Sequence, residues 1–103
     1  MTKKYSVKIT ATAQNDLESI WNYISQDSPQ NAMAFIDEIE HKVIGLSEFP
    51  DRHPIIPESQ TIQTNRYRHL LHKDYRVIYR REDDKVFVLR VFHGSKLLDL
   101  ASM

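Results

Sequence analysis

Cysteine is absent from the chain, which removes disulfides, thiolate nucleophiles and any Cys-ligated zinc site. Glycine occurs only as Gly45 and Gly94, so no glycine-rich phosphate loop can be assembled and no nucleotide cofactor is expected. No apolar run approaches the roughly 18 residues of a membrane span. The start, Met1-Thr2-Lys3-Lys4-Tyr5, lacks the apolar core of a signal peptide. A cytoplasmic protein with no membrane partner is therefore expected. Its length, 103 residues, suits one domain with one core, read as spanning 1–103.

Net charge is also missing, but the zero conceals a division. Residues 1–58 carry five Lys/Arg against nine Asp/Glu, and residues 59–103 carry nine against five. Three of the five histidines, His69, His72 and His93, lie in the second half. Such a split fits a basic face seeking an anionic partner. It equally fits two halves that neutralise each other. A protein built mainly for nucleic acid usually has a larger positive excess.

What the chain does contain is an alternating stretch from Arg66 to Gly94. It predicts three strands joined by tight turns at His72-Lys73-Asp74 and Glu82-Asp83-Asp84. Side chains alternate along a strand, so Tyr75, Val77 and Tyr79 should share one face and Arg76, Ile78 and Arg80 the other. In the last strand Phe87, Leu89 and Val91 should oppose Val86, Val88 and Arg90 by the same rule. The sheet then needs an apolar cover on one face and offers Arg and His on the other.

The first half can supply the cover. Tyr5-Ser6-Val7-Lys8-Ile9-Thr10 alternates as a short strand. Thr10 is a plausible helix N-cap, and Ala13, Leu17, Ile20, Trp21 and Ile24 follow as one helical stripe. Asp16 and Glu18 fall near the positive end of that helix. Ser28-Pro29 restarts a helix, whose stripe is Ala32, Phe35, Ile36, Ile39, Val43 and Leu46. So short a connection makes the pair an antiparallel hairpin. Pro50, Pro54 and Pro57 then predict an irregular surface loop over 50–65. After Gly94 a short tail helix or an extended segment is expected.

Few chemistries remain. His69 and His72 stand three apart in a strand and point to opposite faces, which argues against a metal site. No strained nucleophile turn such as G-x-S-x-G occurs. The remaining candidate is the Arg/His face, where Arg66, Arg68, His72, Arg76 and Arg90 would converge if the strands pair in sequence order. Arginine forks suit phosphate, and histidine can act as acid or base near neutral pH. Exposed arginines often do no more than keep a sheet face soluble. Arg76 and Arg90 differ because each interrupts an apolar run, and a charge placed there must find a partner or reach water. Tyr67, Tyr75 and Tyr79 read as core aromatics.

Several of these segments together resemble one family. Thr10-Ala-Thr-Ala13-Gln-Asn-Asp16-Leu17-Glu-Ser-Ile20-Trp-Asn-Tyr23-Ile24 is similar to the first helix of ParE/RelE-superfamily toxins. Leu46-x-x-Phe49-Pro50, Tyr75-Arg76-Val77-Ile78-Tyr79-Arg80 and Val88-Leu89-Arg90-Val91-Phe92-His93-Gly94 follow in the matching order. The resemblance covers nearly the whole chain. It implies an α+β fold of order β-α-α-β-β-β, with the N-terminal strand and helical hairpin packed on a small, mostly antiparallel sheet. It also implies the toxin of a type II toxin–antitoxin (plasmid stabilisation) system, with a cognate antitoxin protein as partner.

The superfamily holds two activities. RelE-like members cleave mRNA on the ribosome, and their pattern would make Arg76, Lys96 and His93 the catalytic candidates. Their tail tyrosine has no counterpart in Leu97-Leu98-Asp99-Leu100-Ala101-Ser102-Met103. ParE-like members act on DNA gyrase and need only a binding surface, for which Arg66, Arg68, His72 and Arg90 are the target-binding or anion-binding candidates. The resemblance therefore favours a ParE-like growth inhibitor that uses no cofactor and no metal. A RelE-like endonuclease with ribosome and mRNA as partners is the alternative, as is a non-toxic binding module of the same fold.

Overall fold

The computed structural model describes residues 3–59, 64 and 66–94. Its elements are strand β1 (Ser6–Ile9), helices α1 (Ala11–Ser25) and α2 (Pro29–Ile44), and strands β2 (Tyr67–His72), β3 (Tyr75–Glu82) and β4 (Lys85–His93). The four strands form one sheet in the order β1-β4-β3-β2. β1 runs parallel to β4, and the other pairs are antiparallel. This is the expected α+β arrangement, with the expected tail beyond Gly94 lying outside the described residues.

Both helices begin where their caps dictate. The Thr10 hydroxyl accepts from the Ala13 amide at 3.2 Å and donates to the Val88 carbonyl at 2.9 Å, so one residue starts α1 and ties it to β4. The Ser28 hydroxyl accepts from the Asn31 amide at 3.1 Å, ahead of Pro29 at the first helical position. α2 ends at Ile44 and runs into a short 3-10 turn, Gly45–Ser47; Pro50 opens a second one, Pro50–Arg52.

The helical stripes cover one sheet face. Ala13, Leu17, Ile20, Phe35, Ile39, Val43 and Leu46 bury themselves against Leu70, Val77, Tyr79, Val86, Val88 and Val91. Tyr79 is fully buried and donates its hydroxyl hydrogen to the Pro50 carbonyl, which pins the loop after α2 to the core.

The alternation expected for β4 fails halfway. Tyr79 faces Val88 and Ile78 faces Arg90, so Leu89 is an extra residue opposite β3. Such a bulge inverts the sidedness of everything beyond it. Val91 therefore joins Val86 and Val88 beneath the helices, while Phe92 packs on the opposite face with Ile78 and Ile56.

The loop from Pro54 is also more ordered than its prolines suggest. The Ile56 amide donates to the Tyr67 carbonyl, and the His69 amide to the Pro54 carbonyl, each at 3.1 Å. Ile56 is thereby buried against Ile78 and Phe92 with Tyr67 beside it. The face expected to be a bare working surface has a small second core.

Asp16 has a structural task beyond favouring the helix start. β1 pairs with β4 only as far as Val88, leaving the next part of that edge without a strand. Asp16 Oδ2 accepts from the Val91 amide at 2.9 Å, and the carboxylate forks onto Arg90 at 2.8 and 3.1 Å. One side chain thus closes a sheet edge and pairs a charge. Asp16→Ala is expected to lower unfolding free energy by about 1–3 kcal/mol, read as a shift of the denaturant midpoint at unchanged slope. A midpoint within error of wild type would refute this role.

Candidate functional site

Arg76 is the second residue of β3, on the face away from the helices, opposite Leu71 and Phe92. It is 7% exposed, so its charge needs partners. Two are supplied. Nη1 and Nη2 donate to Glu58 Oε2 and Oε1 at 2.7 and 2.9 Å, and Nε donates to His69 Nδ1 at 3.0 Å. The guanidinium also lies 5.5 Å from the Phe92 ring centroid. Glu58 comes from the loop that carries Ile56, so the apolar anchor and the ionic one are two residues apart.

The electrostatics follow from this packing. The Arg76 hydrogen bonds hold the Glu58 carboxyl below its ordinary range. Burial, then the neighbouring Arg76 charge, pushes the His69 imidazole down. Neutral His69 is the form that can accept from Arg76 at Nδ1.

A cleft of about 420 Å³ borders this cluster, lined among others by His69, Lys73, Arg76, His93 and Gly94. The His93 ring lies 5.3 Å from Tyr75. The Gly94 amide donates to the Asp74 carbonyl at 2.6 Å, where an added Cβ would stand 3.1 Å from that oxygen. The final His-Gly therefore lets the chain leave the sheet hard against the β2–β3 turn. Arg76 and His93 share the cleft; Lys96 lies outside the described residues.

The five basic residues expected on one face do not gather there. Arg68 and His72 point to the helix side, because they pair across the sheet with Tyr79 and Tyr75. Arg68 donates to the His53 carbonyl at 2.7 Å. His72 Nε2 meets Glu38 Oε1 at 3.2 Å, and its ring lies 5.3 Å from Phe35. Arg66 pairs with Glu82 at 3.1 Å. Arg90 lies over the outer side of Phe92, 5.8 Å from its centroid, and turns back around the sheet edge to Asp16.

Glu58 and Asp16 are the functional-site neighbours that residue-by-residue reading missed. The charge split was their signal. Asp16, Glu38, Asp51 and Glu58 from the first half neutralise Arg90, Lys73, Arg81 and Arg76 from the second.

A helical hairpin on this mixed sheet, with the Arg-bearing third strand, is the arrangement expected for the ParE/RelE superfamily. Residues 7–98 match the family described as ParE toxin of type II toxin–antitoxin system, parDE, and the chain belongs to that family. The structure is similar to a chain of the chromosomal ParDE system from P. aeruginosa, with TM-score 0.71, 20% identity, and 89% of this chain and 98% of that one covered. It is also similar to a chain of the RelBE2 toxin–antitoxin complex from Mycobacterium tuberculosis, with TM-score 0.58, 27% identity, and coverage of 90% and 94%. No match to a curated protein was found.

The depressed His69 sets a pH dependence. Unfolded His69 takes up its proton near pH 6.5 while the folded form resists it, so stability falls as pH drops below about 6.5 toward the folded value. Glu58, also depressed, adds its loss as pH falls below the ordinary carboxyl value of 4.5. Between pH 7 and 5 the Tm is expected to fall less steeply for His69→Gln, which keeps an acceptor that cannot be protonated. Parallel wild-type and variant curves would remove this role from His69. Glu58→Gln at pH 7 is expected to cost about 1–3 kcal/mol, measured by urea unfolding.

Proposed function

We propose that this type II toxin inhibits growth in the cytoplasm by acting on DNA gyrase, and that a cognate antitoxin neutralises it. The observation that carries this reading is the state of Arg76. An endonuclease of this fold would have to offer that guanidinium to a phosphate. Here it is buried, with all three of its nitrogens donating to Glu58 and His69. Binding to a protein target makes no such demand, because a recognition surface works without a free catalytic cation. The match of residues 7–98 to the ParE toxin family supports the same choice, and with it a role in plasmid stabilisation.

The antitoxin partner is supported by the neighbours, both of them from toxin–antitoxin systems. Arg66, Arg68 and Arg90 enter this reading as recognition residues through their exposed portions, not as a shared anion site, whereas His72 is buried beside Phe35.

A second reading has one observation in its favour. Arg76, His69 and His93 line a common cleft, so displacement of Glu58 would bring a cation and two imidazoles to one place. Ribosome-dependent mRNA cleavage would use them as charge stabiliser and acid or base.

Induction without antitoxin separates the two. Gyrase poisoning is expected to give DNA breaks and filamentation while translation at first continues, scored by strand-break assay and amino-acid incorporation in parallel. Immediate arrest of translation with cut mRNA, abolished by Arg76→Ala in a protein of preserved fold, would replace the gyrase reading with the endonuclease one. Unimpaired growth would end both.

A further inference from the structure

Every arginine of β2, β3 and β4 has a carboxylate within ion-pair distance, but one corner of the molecule does not balance. Around the turn after α2, five cations (Lys3, Lys4, Arg52, Arg68 and Arg81) stand about three carboxylates, Glu48, Asp51 and Asp83, the last acting on Arg81. Lys4 is paired with Glu48. Asp51 is shared by Arg81 at 3.1 Å and Arg68 at 3.8 Å. Lys3 and Arg52 make no ion pair among the described residues. They rest instead on aromatic rings, Lys3 at 5.1 Å from the Tyr5 centroid and Arg52 at 5.3 Å from that of Phe49.

Phe49 is held there at a conformational cost. Its φ is 53°, a left-handed value that is an outlier for a bulky residue and is further disfavoured before Pro50. The turn does not use this strain to bury the ring, which is 54% exposed. The ring borders a cleft of about 470 Å³ lined by Lys3, Tyr5, Pro50, Asp51 and Arg52. On its other flank Phe49 borders a second hollow of about 240 Å³. Strain kept at an exposed aromatic calls for a function.

We propose that this corner binds a nucleotide unit, its base stacked on Phe49 and its phosphate held by Lys3 and Arg52. A cleft of this size falls in the range that accepts small ligands. An exposed ring beside cations that make no direct ion pair, Arg52 feeling Glu48 only at longer range, is the combination by which proteins hold nucleotides without reading their sequence. Asp51 does not repel the phosphate, because two arginines already share its charge. The unit can come from a free nucleotide or from a single strand running past Phe49 into the second hollow. The site lies apart from Arg76 and its cleft and does not depend on the gyrase reading.

The test is fluorescence anisotropy of a labelled short oligothymidylate with the purified toxin, competed with AMP or with inorganic phosphate. Two variants accompany it. Phe49→Gly removes the ring and relaxes the left-handed backbone, so its Tm should equal or exceed that of wild type. Arg52→Glu reverses a cation without touching the core. Binding is expected to weaken with added salt and to fall about tenfold or more in each variant. Competition by AMP, but not by equal phosphate, supports the site with a free nucleotide as its source. Oligonucleotide binding that AMP does not displace supports it with a strand as its source. Phosphate competing as well as AMP would reduce the corner to an anion site and overturn the proposal. So would the absence of binding at low salt, or binding untouched by both substitutions.

Discussion

A guanidinium buried at the start of an inner strand cannot be left without partners, and much of this structure follows from that constraint. Arg76 is 7% exposed, packed over Phe92 and held by Glu58 and His69. Its charge is tolerable only with a carboxylate fork and a further acceptor. The loop after α2 therefore cannot wander. Glu58 must arrive within reach, and Ile56 arrives with it to fill the hollow between Ile78 and Phe92. The proline-punctuated connection is the cover of the second sheet face.

The same logic recurs at the sheet edge. β1 turns into α1 at Thr10, and β4 continues beyond the end of its partner. Asp16 supplies the missing acceptor and at once pairs with Arg90. In both places an acid from the first half stabilises a cation from the second, and in both it also fixes a piece of backbone. The charge pairs are architectural. This separates the family's fold from any one of its activities, because an arginine held for stability is withdrawn from chemistry until something displaces its partner. Glu58 and His69 both meet Arg76, and Ile56 of the small core stands two residues from Glu58, so the three features adjoin one another.

The unbalanced corner around Phe49 stands in contrast. There the cations meet aromatic rings, the ring stays exposed, and the backbone remains strained. A neutral protein can in this way keep a local positive surface, since its excess acid lies elsewhere, for instance at Glu18, Asp37 and Glu40 on exposed helix positions. Net charge describes the chain as a whole and says little about where a field is concentrated.

Periodicity and punctuation in the sequence determined the elements and their main faces. The stripes of α1 and α2, the caps at Thr10 and Ser28, the two tight turns, and the sidedness of Tyr75, Val77 and Tyr79 are local consequences of helix and strand geometry. The match of several ordered motifs pointed to the superfamily for the same reason, since each motif is a piece of that geometry. Only the tertiary structure decided the rest. The bulge at Leu89 leaves no mark in an alternating run, because one extra residue changes side without changing composition. The placing of β1 beside β4, and not beside its sequence neighbours, depends on a long connection through two helices. Which acid would meet Arg76 or Arg90 was equally hidden: Glu58 and Asp16 lie 18 and 74 residues away. A charge selects its partner by distance in space, and the chain sets that distance only once it has folded.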